Sequence, residues 1–142
     1  MHGCNGHMGQ VISGLIKDDP EIEIVAGIDL VDNRDNGYPV FTDIWTCDVQ
    51  ADAVIDFCSA KAVDNLLDFC VERQIPVVLC TTGLSEEQLK KVEEASKKVA
   101  VLKSANMSLG INLLLKLVKE AAEKLAADGI EAKVINIHTI KP

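Results

Sequence analysis

The sequence predicts an α/β fold, a doubly wound parallel sheet in three layers. Three observations point to it. Segments of β-branched apolar residues alternate with longer segments of helical period, which is the sequence form of repeated βα units. Several strand candidates are near-continuous apolar runs, as expected of strands covered on both faces. A glycine-rich stretch at the start runs straight into helical periodicity. The chain has 142 residues, 48% of them apolar and 25% charged, an ordinary globular composition long enough to bury a core without a disulfide or metal staple. No repeat, low-complexity tract or linker divides it, so a single domain over residues 1–142 is expected.

The elements follow in order. The turn Gly3-Cys4-Asn5-Gly6-His7-Met8-Gly9 opens a helix over 9–17, where Val11, Ile12, Leu15 and Ile16 recur at three and four. A strand is expected over 22–29. The stretch 32–38, rich in Asp, Asn and Gly, reads as a surface loop leading to a short element at 40–42. Strands over 53–57, 76–80 and 99–103 alternate with helices over 62–73 and 85–98. Ser85 with Gln88 three residues on predicts a capping box. A helix over 109–127 carries Leu113, Leu114, Leu117, Val118, Ala121 and Leu125 on one broad face, and Gly129 is its stop signal. A last strand over 133–138 should join the sheet by a right-handed crossover, and all five strands should be parallel.

Composition excludes several functions. Fourteen basic against 22 acidic residues leave a formal charge of -8, with no basic cluster to contact a phosphate backbone, so nucleic acid is not an expected partner. The apolar stretches are too short to span a membrane, and no secretory leader precedes the glycine loop. The odd set Cys4, Cys47, Cys58, Cys70 and Cys80, without a C-x-x-C pair, reads as reduced, mostly buried thiols of a cytoplasmic protein, with no metal site.

The chemistry lies in the glycine loop. Glycines permit a tight turn, and the free amides and positive dipole end of the following helix favour a phosphate or pyrophosphate. An ordinary glycine-rich turn carries about equal weight on this motif alone. Context raises the first reading: about twenty residues on, Asp29 ends a strand where a carboxylate can accept hydrogen bonds from ribose hydroxyls. A solvated strand-end carboxylate is the alternative for Asp29.

At this point the chain resembles the coenzyme-binding domain of dihydrodipicolinate reductase, with its Rossmann-like fold. Residues 3–9 resemble the family's G-x-x-G-x-M-G loop, and Asp56-Phe57-Cys58-Ser59 its D-F-[ST]-x-P strand end. Cys80-Thr81-Thr82-Gly83 resembles its G-T-T-G loop, with Cys80 in place of the first glycine. Ser104-Ala105-Asn106-Met107-Ser108-Leu109-Gly110-Ile111-Asn112 resembles its [SAP]-x-[NF]-[MFS]-S-x-G-[IV]-N segment, so the likeness covers about residues 1–122. It implies NAD(H) or NADP(H) as cofactor. The pyrophosphate would lie on Gly3, Asn5, Gly6, His7, Met8 and Gly9, and the adenosine ribose on Asp29. The nicotinamide would lie beside Phe57, Thr81, Thr82, Gly83, Ala105, Asn106 and Met107. Asp29 would repel a 2'-phosphate, with Arg34 as the compensating cation, so NAD(H) or dual use is expected.

Three departures modify that expectation. The family's first, central strand is missing, since only Met1 and His2 precede the loop; strand exchange between chains is therefore an open route to a homo-oligomer. The family's catalytic segment H-H-x-x-K-x-D-A-P-S-G-T has no counterpart, His138 and Lys141 being a shallow likeness. No catalytic residue is assigned, and the chain alone is expected to be inactive. Residues 121–142 resemble a helix–strand unit of the transketolase C-terminal domain, which suggests a chimera joined near Lys119-Glu120-Ala121-Ala122. The reading is an NAD(P)H-binding domain of a reductase-like oxidoreductase of lysine synthesis. A non-enzymatic chimeric or truncated α/β scaffold with relic motifs is the alternative.

Overall fold

The computed structural model describes residues 1–132, which fall into two compact units, 1–105 and 106 onward. In the first unit, helix α1 (His7–Ile16) leads to strand β1 (Gly27–Ile28) and then β2 (Val40–Phe41). After these come β3 (Val54–Asp56), α2 (Val63–Arg73), β4 (Val77–Leu79), α3 (Glu86–Ser96) and β5 (Val101–Lys103). β1 pairs with β2, and β3 with β4 and β4 with β5, every pair parallel as expected. His2 bridges Ile28 on one side and Asp56 on the other, joining both groups into one sheet of order β2-β1-His2-β3-β4-β5.

The central strand expected to be missing is thus present as a stub. His2 N–H donates to Ile55 O at 2.9 Å and His2 O accepts from Phe57 N–H at 3.1 Å. On the other side Met1 O accepts from Ile28 N–H at 2.9 Å, and Gly3 N–H donates to Ile28 O at 2.8 Å. The strand expected over 22–29 is formed only at Gly27–Ile28, the residues beside which Met1, His2 and Gly3 lie; the Met1 nitrogen donates to Ala26 O at 2.7 Å. Beyond it, residues 22–25 and 49–53 border a cavity of about 680 Å³.

The chain moves from the stub through α1 to β1, and in the opposite sense from β3 through α2 to β4. With right-handed crossovers these helices cover opposite faces, and strand order reverses at the stub. The core gathers under α2 and α3. Val63, Leu66, Leu67, Phe69 and Cys70 of α2 pack with Val77 and Leu79 of β4, Val92 and Ala95 of α3, and Ile44. Leu66, Leu67 and Leu79 are fully buried, each contributing about 1.5–3 kcal/mol relative to exposure. Gln74, at φ +56°, turns the chain out of α2. The capping box of α3 is present: Ser85 Oγ accepts from Gln88 N–H at 3.2 Å, and Gln88 Oε1 accepts from Ser85 N–H at 3.1 Å.

In the second unit α4 spans Leu109–Ala127, capped by Ser108, whose Oγ accepts from Ile111 N–H. It runs unbroken through the expected junction at 119–122. Gly129 ends it at φ +75°: its N–H donates to Ala126 O and that of Ile130 to Leu125 O, a Schellman closure that satisfies two terminal carbonyls. The expected strand over 133–138, with His138 and Lys141, lies outside the described residues.

Candidate functional site

Ligands of doubly wound sheets sit beyond the carboxyl ends of the strands where strand order reverses, and the glycine loop stands at that point. Gly3 has φ +78°, and a Cβ there would lie 2.8 Å from Phe57 O, so glycine is required twice over. Gly6 caps α1 without a side-chain hydrogen bond, and no acidic residue occupies the first turn. The amides of that turn therefore face outward with the positive dipole end, an arrangement suited to an anion. A Cβ on Gly9 would lie 2.2 Å from Gly3 O and 2.6 Å from Cys4 O. The close approach that calls for this glycine is thus to its own loop. Gly6 has more room, with Gly3 O 3.3 Å from its Cβ position.

Asp29 is not simply solvated. Its Oδ2 accepts from Asn5 N–H at 2.8 Å and its Oδ1 from Leu30 N–H at 2.8 Å, which ties the end of β1 to the glycine loop. It lines a pocket of about 320 Å³ with Gly3, Asn5, Gly6, Val31, Asn33, Arg34, Phe57 and Cys58. One cleft therefore holds glycine-loop residues, the strand-end carboxylate and the Arg34 cation. The Asn5 side chain is already engaged: its Nδ2 donates to Val31 O at 2.6 Å and its Oδ1 accepts from Asn36 Nδ2 at 2.9 Å. Gln10 Nε2 joins the same network through Cys4 O and Asn36 Oδ1. Asn5 thus meets the cleft through its main chain, while His7 and Met8 are exposed beside it.

On the other side of the reversal, Phe57 and Cys58 are half-buried and Thr82 and Gly83 are exposed. Thr81 is buried, with its hydroxyl turned inward to Asp56 Oδ2 at 2.5 Å, so only its main chain remains for a ligand. Ala105 is exposed at the end of the first unit. Asn106 and Met107 belong to the second unit, where Asn106 Oδ1 accepts from Ser108 N–H at the start of α4.

Sequence reasoning missed the roles of Asn36, Gln10 and the buried His2–Asp56 pair, in which Nδ1 and Oδ1 stand 2.6 Å apart. Fifty-four residues separate that pair, and the only local signal is an acidic residue at the end of an apolar strand. The thiols near the cleft are held protonated. Burial pushes Cys4 up, with Asp29 adding to it, and burial likewise raises Cys58 and Cys80. None of these three is set up as a nucleophile. All five thiols are free, and among the described residues no cluster of His, Cys, Asp and Glu could hold a metal. No helix among the described residues is long and apolar enough to cross a membrane.

Comparison with known proteins identifies the lineage. The family model described as dihydrodipicolinate reductase, N-terminus, matches residues 1–107. The 4-hydroxy-tetrahydrodipicolinate reductase of Caldanaerobacter subterraneus is 49% identical over 138 residues, covering 97% of this chain and 54% of the relative. That of Clostridium tetani is 43% identical over 136 residues, covering 96% and 53%. A solved structure titled dipicolinate-bound dihydrodipicolinate reductase, from Paenisporosarcina sp. TG-14, superposes with TM-score 0.73 at 23% identity and covers 85% of this chain and 51% of its own, a likeness of fold. The chain spans about half the length of these relatives. A match over 97% of the chain takes in most of the tail beyond residue 122, so the tail aligns with reductases and the chimeric join finds no support here.

Proposed function

The chain belongs to the dihydrodipicolinate reductase N-terminal family, and on that premise we propose that it binds NAD(H) or NADP(H) along the carboxyl edge of its sheet. The observation that carries this reading is the single cleft in which Gly3, Asn5, Gly6 and Asp29 come together at the point of strand reversal. The outward amides of His7, Met8 and Gly9 would hold the pyrophosphate, and the remaining lone pairs of Asp29 the ribose hydroxyls. Phe57, the main chain of Thr81, Thr82 and Gly83, and Ala105 would border the nicotinamide. The cofactor, when bound, supplies hydride chemistry; the chain's residues contribute placement and exclusion of water. In the longer relatives' context that hydride would pass to a cyclic imine diacid of lysine synthesis. Arg34 lines the same cleft as Asp29, so a 2'-phosphate would meet both a repelling carboxylate and a cation, which suits NAD(H) preference or dual use. Five free thiols fit the reducing cytoplasm. A homo-oligomer formed by strand exchange would be seen by light scattering of the purified chain.

Gly6→Val is the decisive variant. The Cβ position at Gly6 is 3.3 Å from Gly3 O, so the fold has little to yield, whereas the added methyls would enter the space beside the first-turn amides. NADH fluorescence titration should show binding by the parent and none by the variant, with far-UV circular dichroism unchanged. Equal binding by the variant would refute the phosphate-loop reading. A parent that binds neither NADH nor NADPH would leave a scaffold with relic motifs.

A further inference from the structure

Asp56 is fully buried at the end of β3, yet three groups converge on its carboxylate. Its Oδ1 stands 2.6 Å from His2 Nδ1 and accepts from Cys58 N–H at 3.2 Å. Its Oδ2 accepts from Thr81 Oγ1 at 2.5 Å, and that same hydroxyl is 3.0 Å from Cys58 O. The Cys58 N–H is therefore held by the carboxylate, and its carbonyl lies within reach of the same Thr81 hydroxyl, whose single proton goes to one acceptor or the other. Three chain segments meet here: the stub that enters the glycine loop, the turn 57–59 after β3, and the loop 80–83 after β4. A carboxylate is a costly core group, and here directional bonds to three chain segments offset that cost. The order of the groups is not that of a catalytic triad, in which the imidazole stands between acid and hydroxyl; here the carboxylate lies between the imidazole and the hydroxyl.

We propose that Asp56 is a positioning residue for the nicotinamide half of a bound dinucleotide, fixing loops 57–59 and 80–83 relative to the glycine loop through His2, Thr81 and Cys58. The inference rests on the cofactor reading above and deepens it. Phe57 and Cys58 line the cleft, and Thr82 and Gly83 follow directly on the anchored Thr81. A shift in either loop moves the surface against which the nicotinamide ring would lie, while Gly6, Gly9 and Asp29 keep their own supports on the adenosine side. An amide at position 56 presents a donor in place of one acceptor: at the Oδ1 place it would face the Cys58 N–H, and at the Oδ2 place it would turn the Thr81 hydroxyl away towards Cys58 O, so the set of bonds must rearrange.

The test compares NADH with ADP-ribose, which lacks the nicotinamide, by calorimetric titration of the full chain. In Asp56→Asn the NADH dissociation constant should rise about tenfold, while that of ADP-ribose stays within about twofold. Thr81→Val should shift NADH in the same direction and Thr81→Ser should restore the parental value; this pair carries the test if Asp56→Asn does not fold. Parallel loss of both ligands in these variants would mean a merely structural role and overturn the proposal, as would unchanged NADH affinity. A parent that binds ADP-ribose and NADH equally would overturn this inference alone, since the nicotinamide would then make no contact to lose. A parent that binds neither overturns the cofactor reading and this inference with it.

Discussion

Alanine at Gly9 and alanine at Gly14, two positions of the same helix, should have opposite effects. At Gly9 the added Cβ would meet Gly3 O at 2.2 Å, Cys4 O at 2.6 Å and Cys4 C at 2.8 Å. Ordinary contact begins near 3.4 Å, so helix and loop must part by about 1.2 Å. All three atoms are backbone and are themselves tied: Gly3 O accepts from Gly6 N–H at 3.2 Å, and Cys4 O accepts from Gln10 Nε2 at 2.9 Å. Overpacking of this kind costs about 1–3 kcal/mol, and the immobility of the loop puts Gly9→Ala at the upper end. At Gly14 nothing lies within 4 Å, so alanine there gains only its helix propensity, about 0.8–1.0 kcal/mol. Thermal unfolding followed by circular dichroism reads both. For a domain of this size Gly9→Ala should melt roughly 6–12 °C below the parent and Gly14→Ala roughly 3–4 °C above it. A Gly9→Ala variant melting within about 2 °C of the parent would refute the argument that the loop is rigid and closely packed on the helix.

Further outcomes follow from the same geometry. Ser85→Ala removes the acceptor for Gln88 N–H and should cost about 1 kcal/mol in urea unfolding, with Ser85→Asp retaining most of it. Burial, with Asp56 adding to it, pushes the Cys70 thiol from its ordinary value near 9 up to about 12. Because the folded value is raised, its contribution to stability is intact below pH 9 and is lost between pH 9 and 12, at up to about 1.4 kcal/mol per pH unit. Urea unfolding at pH 8, 9 and 10 should show this decline, and Cys70→Ala should make it shallower, the raised Cys4, Cys58 and Cys80 thiols contributing the rest. Titration at low salt should give NADH affinity equal to or above that for NADPH; tighter NADPH binding that disappears in Arg34→Ala would assign the choice to the arginine. This chain alone should not oxidise NADH or NADPH in an assay coupled to the synthase that supplies the lysine-pathway imine, because its sequence has no H-H-x-x-K-x-D-A-P-S-G-T segment to place the diacid. Turnover that falls in His138→Ala or Lys141→Ala would overturn that expectation.

What could be read from the residues in order was whatever depends on near neighbours. The capping box at Ser85 and Gln88, the limits of α4 with its stop at Gly129, and the glycine turn opening α1 are set by groups within a few residues of one another, and the structure has them as expected. Parallel pairing followed from apolar runs separated by helices, and four quoted motifs were enough to indicate the family. What depends on distant partners was not legible. β1 is formed only at Gly27–Ile28, the residues beside which Met1, His2 and Gly3 lie. The employment of Asp29 is decided by an amide 24 positions away, and the inward turn of Thr81 by a carboxylate 25 positions away. Hydrogen bonds and steric contacts act over a few ångströms, so a local pattern can specify which residues form a helix or a turn. Only the assembled sheet brings His2, Asp56 and Thr81 within that range.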